Sequence, residues 1–188
     1  MTKTDTGSLP LPVGGIREEY LRSAALMRLY NSLPATEREK RNAYLAELFA
    51  ECGEAPLIKS PFHCRFGKAV SMGDRFFANS GCAVTGRHPV TIGNHVQFGP
   101  KVILLAETGP VAIGDDVWIG GTSVVCSGVH IGQGTVIGAG SVVTEDIPPG
   151  VVAAGNPCRV MRKITEKDRL YWEKELTDYR TLCDMPVV

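Results

Sequence analysis

The chain has 188 residues, enough for one domain with a proper hydrophobic core. Lysine plus arginine and aspartate plus glutamate each number 20, so the formal net charge is zero, which argues against nucleic acid or an anionic membrane as the main partner. The first 15 residues carry no apolar run and do not read as a signal peptide, and no later run approaches the roughly 20 apolar residues of a membrane span.

Residues 1–15 read as a flexible segment, and residues 16–54 as a helical one. Ile16–Leu33 carries Tyr20, Leu21, Ala24, Ala25, Met27, Leu29 and Tyr30 at helical spacings. A second helix is expected after Thr36, with Thr36-Glu37-Arg38-Glu39 as a capping box and Gly53 as the stop. Six cysteines are scattered without a CxxC pair and read as reduced thiols, so a cytoplasmic location is expected.

Residues 55–163 are governed by a repeat. Ile113, Ile119, Val125, Ile131, Ile137 and Val143 recur every six positions, preceded by Met72, Ala78, Val84 and then Ile92, Phe98, Leu104. Gly follows most of these markers but never the third of each trio, which superimposes a period of 18. Six fits neither a helix nor one long strand; it fits a short strand and a turn, repeated around a three-sided coil. Val111, Val117, Ser123, Val129, Thr135 and Ser141, each two before a marker, should also point inward. The Gly after a marker suits either an unusual φ or close backbone approach. Two slips break the register: two extra residues near Gly86-Arg87-His88 and three near Ala106-Glu107-Thr108-Gly109. Insertions in a solenoid become loops, often on the binding face. Residues 164–188 read as a helix from Thr165 to about Cys183, with Leu170, Trp172, Leu176 and Tyr179 covering the open end.

The repeat, the helical N-terminal segment and the ending Val152-Ala153-Ala154-Gly155-Asn156-Pro157-Cys158-Arg159-Val160 resemble the maltose/galactoside/nodulation O-acetyltransferase family. The sharpest parts are Ile113-Gly114-Asp115-Asp116-Val117-Trp118-Ile119-Gly120-Gly121, Val136-Ile137-Gly138-Ala139-Gly140-Ser141-Val142-Val143-Thr144, and Phe76-Phe77-Ala78-Asn79. The resemblance implies a left-handed parallel β-helix, a homotrimer, acetyl-CoA as donor in a groove between prisms, and a hydroxyl of a sugar or other small molecule as acceptor. It implies that Gly121, Ala139 and Thr144 line the pantetheine arm, and that Pro157, Arg159 and Arg162 lie near the adenine and its phosphates. Read without the resemblance, the two arginines are equally solvated or helix-pairing charges. Trp118 should face outward on the same side as Phe77, against the groove, a neighbouring subunit, or both.

The acceptor side departs from the family. Its catalytic His sits on a long loop, and only Leu105-Ala106-Glu107-Thr108-Gly109-Pro110 stands in that place here. Its acceptor-binding Asp near the N-terminus is not evident among Leu9–Gly15, and Gly86-Arg87-His88 replaces an acidic position in the first slip. Asn79 is retained. Transfer from a thioester needs a base for the hydroxyl proton and donors for the oxyanion. Asn79 suits the second task; His88, an imidazole, and Glu107 are the substitutes for the first. Read alone, both are surface turn residues. His130 should point outward, and His63 and His95 have no partner in view. A catalytically silent scaffold that keeps the fold, with or without the donor groove, is the alternative. A zinc hydro-lyase of the γ-class carbonic anhydrase kind needs three His ligands, which His63, His88, His95 and His130 do not supply in spacing, so no metal is expected.

Overall fold

The computed structural model describes residues 15–168. From residue 51 onward the chain winds into a three-sided left-handed prism of short parallel strands. The first face stacks Glu51–Cys52, Val70–Met72, Val90–Ile92, Val111–Ile113 and His130–Ile131. The second stacks Leu57–Ile58, Phe77–Ala78, Gln97–Phe98, Trp118–Ile119, Val136–Ile137 and Val151–Ala154, closed by the antiparallel strand Arg159–Lys163. The third stacks His63–Cys64, Ala83–Thr85, Ile103–Leu105, Val124–Val125 and Val142–Val143. Markers pair with markers one coil on, as in Ile113 with Ile131 and Ile119 with Ile137.

All twelve markers are buried. So are Val111, Val117, Ser123, Val129, Thr135 and Ser141, as strand alternation requires. The three hydroxyls in that column are satisfied by the carbonyls of Gly138 and Pro148. Strand pairing also extends the repeat by one coil that the marker series did not include: Cys52, Ile58 and Cys64 precede Met72, Ala78 and Val84 by a constant 20 positions. Cys64 is buried, and burial pushes its thiol up to about 12. The five cysteines among the described residues are free; Cys183 lies outside them.

The structure decides between the two readings of the marker glycines. A Cβ on Gly99 would lie 2.4 Å from the Gly121 nitrogen, and one on Gly120 would lie 2.5 Å from the Ala139 nitrogen. Their φ values are ordinary; the left-handed residues come two positions later, at Arg75, His95, Lys101, Asp116, Thr122, Gly134 and Gly140. Close approach is therefore the reason for the glycines.

Two helices close the lower end. α1 (Ile16–Ser32) and α2 (Arg38–Leu48) form where expected, with three corrections. The first residue outside α2 is Glu37, not Thr36, and no side-chain cap bond forms; Glu37 pairs instead with Lys40 at 2.9 Å. α2 ends at Leu48, well before Gly53, because the chain must turn extended at Phe49 to enter the first strand. Gly53 is needed for stacking, since a Cβ there would lie 2.3 Å from the Gly73 carbonyl carbon. The buried stripe of α1 is Glu19, Ser23, Leu26, Met27 and Tyr30, while Tyr20, Leu21 and Leu29 are exposed. A carboxylate can occupy that stripe because it is fully bonded. Glu19 receives Arg22 through both oxygens (2.7 and 2.8 Å), the Ser23 hydroxyl (2.8 Å) and the Lys68 amide (3.1 Å). Arg22 reaches on to the carbonyls of Glu47 and Leu48, so one clasp ties α1, the end of α2 and the first corner of the prism. Arg41 fixes the other end through the carbonyls of Tyr30, Leu33 and Ile58 and the Ser60 hydroxyl. The expected C-terminal helix begins within the described residues, where 166–168 are helical; the rest of it, with Leu170, Trp172, Leu176 and Tyr179, lies outside them, as do residues 1–14.

Two outcomes are expected. Gly120→Ala should cost about 3 kcal/mol through backbone overpacking, while Gly134→Ala, left-handed but facing open space, should cost about 1 kcal/mol; thermal melts of both variants check the ranking. Burial raises the Glu19 carboxyl, but the bonds from Arg22, Lys68 and Ser23 together hold it below its ordinary 4.5. A depressed pKa contributes stability above 4.5 that is lost as pH falls through the lower folded value. Glu19→Ala should therefore cost about 2 kcal/mol at neutral pH, and its difference from wild type should shrink in melts taken at progressively lower pH.

Candidate active site

The corners between faces form three vertical edges, and the expected site residues divide between two of them. On the edge joining the third and first faces, the two register slips lie directly on each other. The His88 amide donates to the Ala106 carbonyl (3.0 Å), and the Ala106 amide donates to the Thr85 carbonyl (2.8 Å). A Cβ on Gly86, whose φ is +95°, would lie 2.1 Å from the Ala106 carbonyl carbon. The second slip is fastened from above. The Ser127 hydroxyl accepts the amides of Glu107 (3.1 Å) and Thr108 (3.3 Å) and donates to the Leu105 carbonyl (2.7 Å). Insertions this short, with their amides committed, make a rigid wall. His88 and Glu107 thus share one edge.

Arg65 stands one coil below, its amide bonded to the Val84 carbonyl (3.2 Å). Its guanidinium lies 3.4 Å from the Glu107 carboxylate and 5.8 Å from the centre of the Tyr20 ring. Both Arg65 and Glu107 are about half exposed. Thr85, Leu105, Cys126 and Thr144 occupy successive rungs of the third face beside this edge. With coils about 4.8 Å apart, Thr144 stands roughly 10 Å above Leu105.

The edge joining the second and third faces carries Asn79, Gly121 and Ala139. The Ser80 amide donates to the Asn79 side-chain oxygen (2.8 Å), and the Asn79 amide donates to the Phe98 carbonyl (3.0 Å). Above it the chain rises through Pro100 and Gly121 to Ala139: the Thr122 amide meets the Pro100 carbonyl and the Gly140 amide meets the Gly121 carbonyl. Ala139 is exposed and Gly121 half-buried. Within one prism, Asn79 is separated from His88 and Glu107 by the whole third face.

At the top, the Cys158 amide donates to the Val142 carbonyl of the third face, and Arg159 then enters the second face opposite Ala154. Arg159 bonds Glu145 at 3.2 Å. Arg162 lies opposite Val152 on the second face and holds Asp168 through two bonds, 2.6 and 2.9 Å. The Arg162 contact, with bonds from the Thr165 hydroxyl and amide, holds the Asp168 carboxyl well below the usual carboxylate range. Trp118 is half-buried on the outer second face, in line with Phe77, Gln97, Val136 and Val152. His130 is exposed, as expected, and His95 finds a partner in Asp116 at 3.1 Å.

Arg65, Ser127, Glu145 and Asp168 stand outside the residues that motif and spacing single out. The first two had a signal: each directly follows the third marker of a coil or stands one residue beyond it, on the edge where the slips occur. The acidic partners had none, because ion pairing across coils is not periodic. Among the described residues no group of three or more His, Cys, Asp or Glu side chains comes together as a metal cluster, and no helix is long and apolar enough to cross a membrane.

Comparison with known proteins bears on the same surfaces. Residues 15–53 match the maltose acetyltransferase hexapeptide capping motif, and residues 110–145 match the bacterial transferase hexapeptide repeat. The chain is 40% identical over 176 residues to galactoside O-acetyltransferase of Escherichia coli K12, covering 86% of this chain and 87% of that one. Among solved structures, galactoside acetyltransferase in complex with coenzyme A superposes with a TM-score of 0.80 at 39% identity, over 82% of this chain and 85% of that one. A hexapeptide-repeat acetyltransferase from Vibrio cholerae O1 biovar eltor, complexed with acetyl-CoA, superposes with a TM-score of 0.78 at 32% identity, over 82% and 91%.

Proposed function

The chain belongs to the hexapeptide-repeat acetyltransferases of the galactoside/maltose O-acetyltransferase type, and from that premise we propose that it is an acetyl-CoA-dependent O-acetyltransferase acting on a hydroxyl of a sugar or another small molecule. The observation that carries the reading is the kinship over nearly the whole length with a galactoside O-acetyltransferase, together with superposition on relatives holding CoA and acetyl-CoA.

A homotrimer is part of this proposal. The outward side chains of the first face are Glu51, Ser71, Thr91, Ala112 and His130, whereas the second presents Leu57, Phe77, Gln97, Trp118, Val136 and Val152, and the third His63, Ala83, Ile103, Val124 and Val142, the last two columns being mostly apolar. Apolar outward columns on two faces of a prism suit packing against two neighbours. The proposed assembly is one in which the second–third edge of one prism, with Asn79, approaches the third–first edge of the next, with His88 and Glu107.

In the groove so formed, Gly121, Ala139 and Thr144 line the pantetheine arm, with Trp118 beside them, while Pro157, Arg159 and Arg162 receive the adenine and phosphates. Arginine suits phosphate because its planar fork is permanently charged. His88 accepts the acceptor's hydroxyl proton as the oxygen attacks the thioester carbonyl carbon. Asn79 donates to the developing oxyanion, and the carbon–sulfur bond breaks as His88 returns its proton to the leaving sulfur, releasing CoA as its thiol. Glu107 is the second candidate base, with the corner Leu105–Pro110 standing where the family's longer loop carries its own. The silent-scaffold reading draws on the two departures on the acceptor side, the absent His loop and the absent N-terminal Asp, and on Arg159 and Arg162 being already paired with Glu145 and Asp168.

Calorimetric titration of acetyl-CoA followed by thioester cleavage across hydroxylated acceptors tests the proposal: binding with acceptor-dependent cleavage supports it, and no binding transfers the case to the scaffold. Replacing Arg159 and Arg162 together with Ala should weaken acetyl-CoA binding by at least about tenfold, or about 1.4 kcal/mol; an unchanged Kd removes them from the donor site. His88→Ala should lower kcat by about 10²-fold or more with donor binding intact; normal turnover moves the base to Glu107, where Glu107→Gln would then show the loss.

A further inference from the structure

The third–first edge gathers charged side chains around the His88 corner. Across three consecutive coils it carries Arg65, Arg87 and Glu107, two guanidiniums against one carboxylate. Lys68 adds a third cation to the same edge, its ammonium hydrogen-bonded to the Phe49 carbonyl at 2.9 Å. Arg87 is exposed and forms no ion pair among the described residues. Arg65 has one long contact with Glu107, 3.4 Å between half-exposed groups. A contact of that kind is weakly held, and it leaves most of the guanidinium fork open. Both arginines are set in backbone that has no slack: Arg65 hangs from the Val84 carbonyl, and the corner holding Arg87 is pressed on Ala106 and bonded through the His88 amide. The Tyr20 ring, 5.8 Å from Arg65, walls the lower end.

Resting on the acetyl-transfer reading, we propose that the acceptor carries an oxyanion, a carboxylate or a phosphate, beside the hydroxyl it presents, and that Arg65 and Arg87 bind it. Two arginines on adjacent coils supply permanent charge and paired hydrogen-bond donors, both of which suit an oxyanion. The oxyanion would sit at the level of Arg65 and Arg87, leaving a hydroxyl one bond or two away within reach of His88 on the same wall. A neutral polyol leaves both forks hydrated and gains nothing from them, and a cationic acceptor meets like charge.

The test separates binding from chemistry. Full-length protein is titrated with galactose, galacturonate and galactose 6-phosphate, and thioester cleavage from acetyl-CoA is followed with the same three. At least one charged sugar is expected to bind ten times more tightly than galactose. Arg65→Gln with Arg87→Gln should erase that preference without moving the melting temperature, since both side chains are exposed. Preference for galacturonate alone identifies a carboxylate site, for galactose 6-phosphate alone a phosphate site, and for both a site that reads charge. Equal binding of the three, no binding of any, or a preference that survives the double variant overturns the inference. Charge-selective binding without cleavage upholds the inference and overturns acetyl transfer; cleavage with no charge preference does the reverse.

Discussion

Everything in this molecule depends on the requirement that each corner stack on the one below it with its amides bonded. In a prism of two- and three-residue strands there is little regular sheet to hold the coils, so the corners must join the ladder. They do so through the left-handed residues. The amides of Arg75, His95, Lys101, Asp116, Thr122, Gly134 and Gly140 donate to Glu54, Asp74, Ser80, Asn94, Pro100, Asp115 and Gly121, one coil below. Five of those residues are not glycine, and each carries a conformational cost of about 1 kcal/mol. The bond each one gains replaces what would otherwise be an unsatisfied amide beside packed backbone, a loss of comparable or greater size. Side chains on the first–second edge extend the same device: the Asp74, Asn94 and Asp115 oxygens take the amides of Glu54, Asp74 and Asn94.

Stacking of this kind leaves almost no freedom where corners are uniform. Two of the three edges repeat without change in length. The third–first edge alone varies: markers across it are separated by eight, eight, nine and then six residues at Cys64–Met72, Val84–Ile92, Leu104–Ile113 and Val125–Ile131. Residues can be added there because each insertion has another insertion, or the Ser127 hydroxyl, to rest on. The chemistry-bearing side chains that break the periodic pattern, Arg65, Arg87, His88 and Glu107, therefore gather on one edge. That gathering is a consequence of the fold before it is a fact about function.

The same logic separates what the sequence shows from what it hides. The prism was legible because burial imposes period six on the side chains, and Ile, Val and Leu at that spacing cannot be read otherwise. The first coil was harder to see, since Cys52 and Cys64 stand where aliphatic markers stand later. The helices were legible in place but not in orientation. Apolar count alone would bury Leu21 and Leu29 of α1, whereas the clasp of Glu19, Ser23 and Arg22 decides which stripe turns inward. The candidate site was legible as a list and not as an arrangement. Spacing assigns Asn79, Gly121 and Ala139 to one edge and His88, Glu107 and Thr144 to another only once the corners are counted around the prism. Ion pairs such as Arg65–Glu107 and Arg162–Asp168 join residues 42 and 6 positions apart and leave no trace in any period.

Division of the site between two edges changes the meaning of the apolar columns. In the proposed trimer Trp118, Val136, Ile103 and Val124 do more than hold subunits together. They set how closely the Asn79 edge of one prism approaches the His88 edge of the next. The donor arm, the base and the oxyanion donor must lie within hydrogen-bond reach of one carbonyl, so that approach has to be fixed to a fraction of an ångström. A prism is suited to the task, because its faces are flat, rigid and locked by the corner amides. In that proposed trimer, the local frame that holds the His88 corner on Ala106 and the assembly that would bring Asn79 to it form one continuous structure.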